Sequence, residues 1–343
     1  MFQFSFFTRF SAYAVFSAFL LTGLSACDST SETSPIEQTN TNLDVVNIGR
    51  LICGGHLPLA IVEKKYQKDL TTFKLRTVQN HDWNDVIADM KSGKLAGTFI
   101  LSPLAMDLIH KGFPGKVVLM ADRNGNGFVL SKNIKSIDDL KNQQSIIAVP
   151  HVYSQHNVLL HTVLKQHGIP AENVKVLGMP PRDMIHSLRN GEIDGFVVGE
   201  PEGNKAISLG VGWMAGISPT IWKDHMDHVF LASDEFIQSQ PERLQELVNQ
   251  LVRGGEFIEN NPREAAVMGE AYTGSSAAVF EQVLTTPADW ITYTNMVVDK
   301  TDMVSMAEKL VGMGLWPAVP ATLEGGYFDM RFVKLAEQSM RGK

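Results

Sequence analysis

Between Asp85 and Pro103 the apolar positions change period twice. Val86, Ile87 and Met90 recur at helical spacing, and Gly93 follows where a left-handed residue ends a helix. Thr98 to Leu101 then form a short apolar run, as expected of a buried parallel strand. Pro103 is placed to start the next helix. The pattern returns 98 residues later without gaps, Asp85 falling on Asp183, Gly93 on Gly191, Gly97 on Gly195 and Pro103 on Pro201. Met184, Ile185 and Leu188 carry the second helical stripe, and Phe196 to Val198 the second strand. An earlier pair matches as well. Val45 to Gly49 and Ile146 to Val149 read as strands, each followed by a loop, a histidine (His56, His156) and a helix. The expected fold class is α/β: two lobes with mostly parallel sheets flanked by helices. Residues 43–145, joined by 235–343, would form lobe 1, and 146–234 lobe 2. From Pro241 onward the pattern is helical, with Leu244, Leu247, Val248, Leu251 and Val252 as one stripe. Helices are expected near 262–272, 275–284, 302–313 and 329–340, an all-helical C-terminal part packing mainly on lobe 1.

The first 27 residues fall outside that pattern. Phe10 to Leu21 is apolar but too short to span a bilayer as a helix. Leu24-Ser25-Ala26-Cys27 resembles a lipobox, so residues 1–27 read as a lipoprotein signal peptide ending at a lipidated Cys27. Asp28 resembles the signal that keeps Gram-negative lipoproteins on the inner membrane; in a Gram-positive cell the place would be the cell surface. Residues 28–42 are rich in Ser, Thr, Asn and Gln and read as a flexible tether, with an end-to-end distance of about 20 Å.

Composition narrows the function classes. A length of 343 residues favours two lobes over one core. The net charge of −7 argues against a nucleic-acid partner. Cys53 is the other cysteine; it has no partner for an internal disulfide or a cysteine-built zinc cluster and reads as a small core residue. There is no Gly-x-Ser-x-Gly, His-Glu-x-x-His, P-loop or dinucleotide fingerprint. His225 and His228, flanked by Asp224 and Asp227, read as a solvated turn rather than a metal site. No catalytic residue, metal or cofactor is expected. Ligands of open α/β sheets lie at the carboxyl ends of strands, here near 50–56, 101–103, 150–156 and 198–201.

Several ordered segments over residues 47–266 resemble the nitrate-, bicarbonate- and sulfonate-binding receptors of ABC importers, nearest the nitrate/bicarbonate branch. They are Gly49 through Pro58-Leu59, Asp82-Trp83, Leu101-Ser102-Pro103-Leu104-Ala105-Met106, Asn124-Gly125-Asn126-Gly127, Ser154-Gln155-His156-Asn157, Pro180-Pro181, Gly195 through Pro201, and Ile221 through His225. The resemblance implies a type II periplasmic-binding fold and a receptor that delivers a small anion to a permease and its ATPase. It also implies that the protein is not an enzyme and works as a monomer. The implied ligand residues are His56, Trp83, Ser102, Asn126, His156, Gly199, Glu200 and His228. Trp83 would wall the cleft or else fill the core. Asn126 would bond the ligand or else shape a turn. Glu200 would bond the ligand or else satisfy neighbouring amides. Two departures touch the ligand. Gly54-Gly55 stands where that branch usually has Thr-Asp, and His228 where nitrate receptors tend to have lysine. A histidine is mostly neutral at pH 7 unless perturbed, so nitrate loses its fixed cation. The alternatives are a ligand-sensing regulator of the same fold, or a receptor for another small organic solute.

Overall fold

The computed structural model of the protein describes residues 43–341. The signal peptide, the lipidated Cys27 and the tether expected over 1–42 lie outside them. The strands are β1 (Val45–Arg50), β2 (Lys74–Gln79), β3 (Gly97–Leu101), β4 (Gly115–Met120), β5 (Arg123–Asn124), β6 (Asn126–Ser131), β7 (Ser145–Val149), β8 (Val174–Gly178), β9 (Gly195–Gly199), β10 (Gly212–Ile217), β11 (His228–Ser233) and β12 (Ile291–Thr292). The first sheet runs β2-β1-β3-β11-β4 and the second β8-β7-β9-β6-β10. Each has three parallel strands and then two antiparallel pairings. The repeat extends to the register: Ile48 pairs with Gly97 in one sheet and Ile147 with Gly195 in the other.

The fourth strand of each sheet comes from the other side of the sequence. β6 follows the first sheet's β4 yet pairs with β9, and β11 follows the second sheet's β10 yet pairs with β3. By sheet membership the two crossings therefore fall near 121–125 and 218–227, not at 145 and 234. Sequence reading placed them too late because β6 and β11 are apolar runs that look alike in either sheet.

The first helices, α1 (Leu57–Ile61), α2 (Trp83–Lys91), α3 (Ser102–His110), α4 (Gln155–His167), α5 (Pro181–Asn190) and α6 (Glu202–Ser208), start at strand ends or at caps. Asp82 accepts from the amides of Asn84 and Asp85, and Ser154 from that of Asn157. Gly93 and Gly191 follow α2 and α5 at φ +74° and +71°, with open space where a Cβ would stand. Backbone handedness alone demands glycine at both. Pro103 lies in the first turn of α3, but Pro201 sits one residue before α6.

The C-terminal stripe of Leu244, Leu247, Val248, Leu251 and Val252 joins the core of the first sheet. The part is not all helical. Ile291–Thr292 pairs with β5, and chain without regular structure follows to Asp299. Among the described residues no helix is long and apolar enough to cross a membrane.

Candidate functional site between the two sheets

The carboxyl end of β1 leads into the segment Leu51–His56, and that of β7 into Pro150–Ser154. Both approach the end of β9 and the second crossing. The Gly54 amide donates to the Glu200 carbonyl at 3.1 Å, and the Tyr293 hydroxyl to the Gly54 carbonyl at 3.0 Å. A Cβ on Gly54 would stand 2.1 Å from the Glu200 carbonyl oxygen, and one on Gly55 2.1 Å from His228 Nδ1. No larger residue fits at either position, which gives the Gly54-Gly55 departure a steric reason.

His228 is the centre of the site. Its amide donates to Asp122 Oδ1 at 3.0 Å. Its ring Nδ1 lies 3.3 Å from Asp122 Oδ1 and 3.2 Å from Asp227 Oδ2, ion-pair distances with poor hydrogen-bond angles. Its Nε2 lies 3.5 Å from the sulfur of Cys53. Burial lowers the His228 pKa, but Cys53, Asp227 and Asp122 together raise it well above the ordinary histidine value. Burial and the Asp227 charge push Asp122 up to about 7. Burial also opposes the Asp227 carboxylate, yet His228, His156 and His225 outweigh it and hold its pKa below the usual range. Gln155 donates to Asp227 Oδ1.

Two further imidazoles flank this group. His56 is fully buried, and its Nδ1 accepts from the Leu51 amide at 3.0 Å. Its ring stands edge-on to that of His228, centroids 5.1 Å apart, with Trp83 6.1 Å from both. Burial, then the charge of His228, holds the His56 pKa well below its ordinary value. His156, at the start of α4, is 1% exposed, and neither ring nitrogen has a partner. Burial pushes its pKa down to about 3, so the ring is neutral.

Gly199, the last residue of β9, leaves the space these groups share. The point where its Cβ would stand is 3.4 Å from Cys53 Sγ, 3.6 Å from His156 Nε2 and 3.9 Å from His228 Cε1. The cavity there has a volume of about 40 Å³ and is bordered by Cys53, Trp83, His156, Arg182, Gly199 and His228. A larger open groove of about 490 Å³ runs past Val45, Gly93 and Phe113, at the opposite ends of the first sheet's parallel strands. Open α/β sheets bind at the carboxyl ends, so the smaller cavity is the candidate.

Of the expected ligand residues, the fold brings His56, Trp83, His156, Gly199 and His228 together. His56 stands behind His228 without lining the cavity, and Ser102, Asn126 and Glu200 do not line it either. The Ser102 hydroxyl donates to the Met226 carbonyl at 3.2 Å. Asn126 Nδ2 donates to the Asn124 carbonyl and bonds His225 Nε2. Glu200 accepts from the Asn204 amide at 2.9 Å, in the first turn of α6. Two readings are corrected. His225 and His228 are buried, not a solvated turn. Cys53 is half-buried on the cavity wall beside His228, not an inert core residue. Sequence reasoning also missed Asp122, Asp227 and Gln155. The available signals were the spacing Cys53-x-x-His56 and the adjacent Asp227-His228.

Comparison with known proteins agrees with this architecture. The chain is 26% identical over 247 residues to the nitrate import ATP-binding protein NrtC of Synechocystis sp., a match covering 66% of this chain and 36% of that protein. The chain spans about a third of the length of the first curated relatives it matches. Among solved structures it resembles the ligand-binding component of an ABC-type import system from Staphylococcus aureus, solved with zinc bound. The TM-score is 0.78 at 23% identity, over 85% of this chain and 99% of that one. It also resembles the periplasmic nitrate-binding protein NrtA of Synechocystis PCC 6803, with a TM-score of 0.75 at 17% identity, over 88% and 90% of the two chains. A model of the NMT1-like family matches residues 40–271, and on that extent the chain belongs to the NMT1-like family.

Proposed function

We propose that the chain is the extracytoplasmic solute receptor of an ABC importer, capturing a small solute between its two sheets and handing it to a permease and its ATPase. One observation carries the reading. Side chains from strand ends of both sheets, and from the crossing between them, converge on a cavity floored by the bare backbone of Gly199. Such a site needs convergent donors and shape, and no bond-making chemistry. The receptor is accordingly not an enzyme. The relatives named above for nitrate import and ABC-type import support the same reading.

The cavity favours a small ligand. At roughly 10–15 Å³ per water-sized group, about 40 Å³ holds about three such groups. Nitrate or bicarbonate approaches that size, whereas a sulfonate-like solute would require the sheets to part. The lipid anchor at Cys27 and the tether over 28–42 would hold a monomeric receptor on the outer side of the inner membrane.

Isothermal titration of the chain with nitrate, bicarbonate and taurine tests this. The expected result is one site for one of the two smaller anions, weakened by His156→Ala. Failure of all three, with and without added zinc, would count against a small-anion receptor.

A further inference from the structure

We infer that Cys53 and His228, joined by His156 on an inward movement of its ring, form a site for a thiophilic first-row transition-metal ion, within the cleft read above as the solute site, and the inference rests on that reading. Cys53 Sγ and His228 Nε2 are 3.5 Å apart. Bond lengths of about 2.3 Å to sulfur and about 2.05 Å to nitrogen, at a tetrahedral angle, separate the two ligand atoms by roughly 3.5 Å. The pair is therefore already at chelating distance.

The surroundings of His228 fit the same role. Asp122 and Asp227 stand at Nδ1, and Nε2 is the nitrogen directed at Cys53. A carboxylate behind a histidine is the usual support of a metal ligand. His156 supplies the independent observation. It is 1% exposed, with both ring nitrogens unpartnered, and its Nε2 lies 3.6 Å from the point where a Gly199 Cβ would stand; it is not yet within 4.8 Å of both Cys53 and His228, so the ring must move inward to join them. A buried polar group left unpaired costs about 1–3 kcal/mol, which a bound ion would remove.

His56 plays another part. One of its ring nitrogens lies within 4.8 Å of the Cys53 and His228 donor atoms. Its Nδ1 already accepts from Leu51, so the neutral ring carries its proton on Nε2. It offers a hydrogen-bond donor, suited to a water or anion on the ion's open position. Thiolate and imidazole donors select zinc or copper over magnesium or calcium. Binding releases two protons to solvent, one from the Cys53 thiol and one from His228 Nε2, as the sulfur–metal and nitrogen–metal bonds form.

The test uses the full chain carrying Cys27→Ser, which leaves Cys53 as its only thiol. Chelator-treated protein is titrated with cobalt(II) and then competed with zinc. A near-ultraviolet thiolate-to-cobalt band should saturate at one equivalent and vanish on adding zinc. Cys53→Ser should abolish the band and weaken zinc binding by more than about 100-fold. Asp122→Asn should keep the band and weaken binding by about 10–100-fold, the range for a metal ligand's support. Absence of the band, or zinc affinity unchanged in Cys53→Ser, overturns the site. Parallel titrations of the metal-free chain with nitrate and bicarbonate separate the two readings. Anion binding without the band sinks the metal site and keeps the receptor; neither signal sinks both.

Discussion

The two repeats share a scaffold and differ at their strand ends. β3 and β9 occupy matching places, pair in matching register and follow matching left-handed glycines. Beyond them the likeness stops. Ser102 turns its hydroxyl to the Met226 carbonyl, while Glu200 turns its carboxyl into its own lobe and Gly199 is left bare to the cavity. The first sheet's loop gives Cys53 and His56, the start of α4 gives His156, the two crossings add Asp122 and Asp227, and β11 opens on His228. Repetition builds the frame, and the chemistry lies where repetition fails.

The largest expected contrast is at Glu200 against Ser102. Burial pushes the Glu200 carboxyl up to about 8, with Glu202 adding to the shift and the Asn204 bonds opposing it. The unfolded chain loses that proton near its ordinary 4.5, so the folded state binds the extra proton between those values. Its contribution is full below pH 4.5 and is lost as pH rises toward 8. Glu200→Gln should therefore gain a few kcal/mol over the parent at pH 8, and much less at pH 4.5, in denaturant melts. A variant less stable than the parent at pH 8 would mean that the carboxylate is ionised and holding α6.

Gly55→Ala comes next. Its methyl would press on His228, costing about 1–3 kcal/mol and abolishing solute binding in calorimetry. Unimpaired binding would separate Gly55 from the site. Gly93→Ala and Gly191→Ala should each cost about 1–2 kcal/mol and add in the double variant, because the same φ is strained in distant repeats. Unequal costs in thermal melts would show that the repeats are not equivalent scaffolds. Ser102→Ala should cost about 1 kcal/mol and leave affinity unchanged, since its hydroxyl is spent on Met226. A lost affinity would restore Ser102 to the ligand set.

The frame is legible in the amino-acid sequence because it rests on local rules. Helical period, glycine after a helix and apolar strand runs each mark themselves within a few residues, and together they make the 98-residue repeat plain. The crossings are not legible in that way, because the pairing of β6 and β11 depends on partners some 70 and 130 residues away. His56, His156 and His228 could be named from loops and resemblance. Asp122 could not, since nothing in its own neighbourhood shows that it meets His228.

Gly199→Ala tests the central claim most directly. The added methyl would sit 3.4 Å or more from its neighbours, an ordinary contact, so the melting temperature should hold. It would nonetheless occupy the space between Cys53, His156 and His228. Calorimetry should show affinity for the parent's solute falling by more than about tenfold, or about 1.4 kcal/mol. A stably folded Gly199→Ala chain with the parent's affinity would contradict the account.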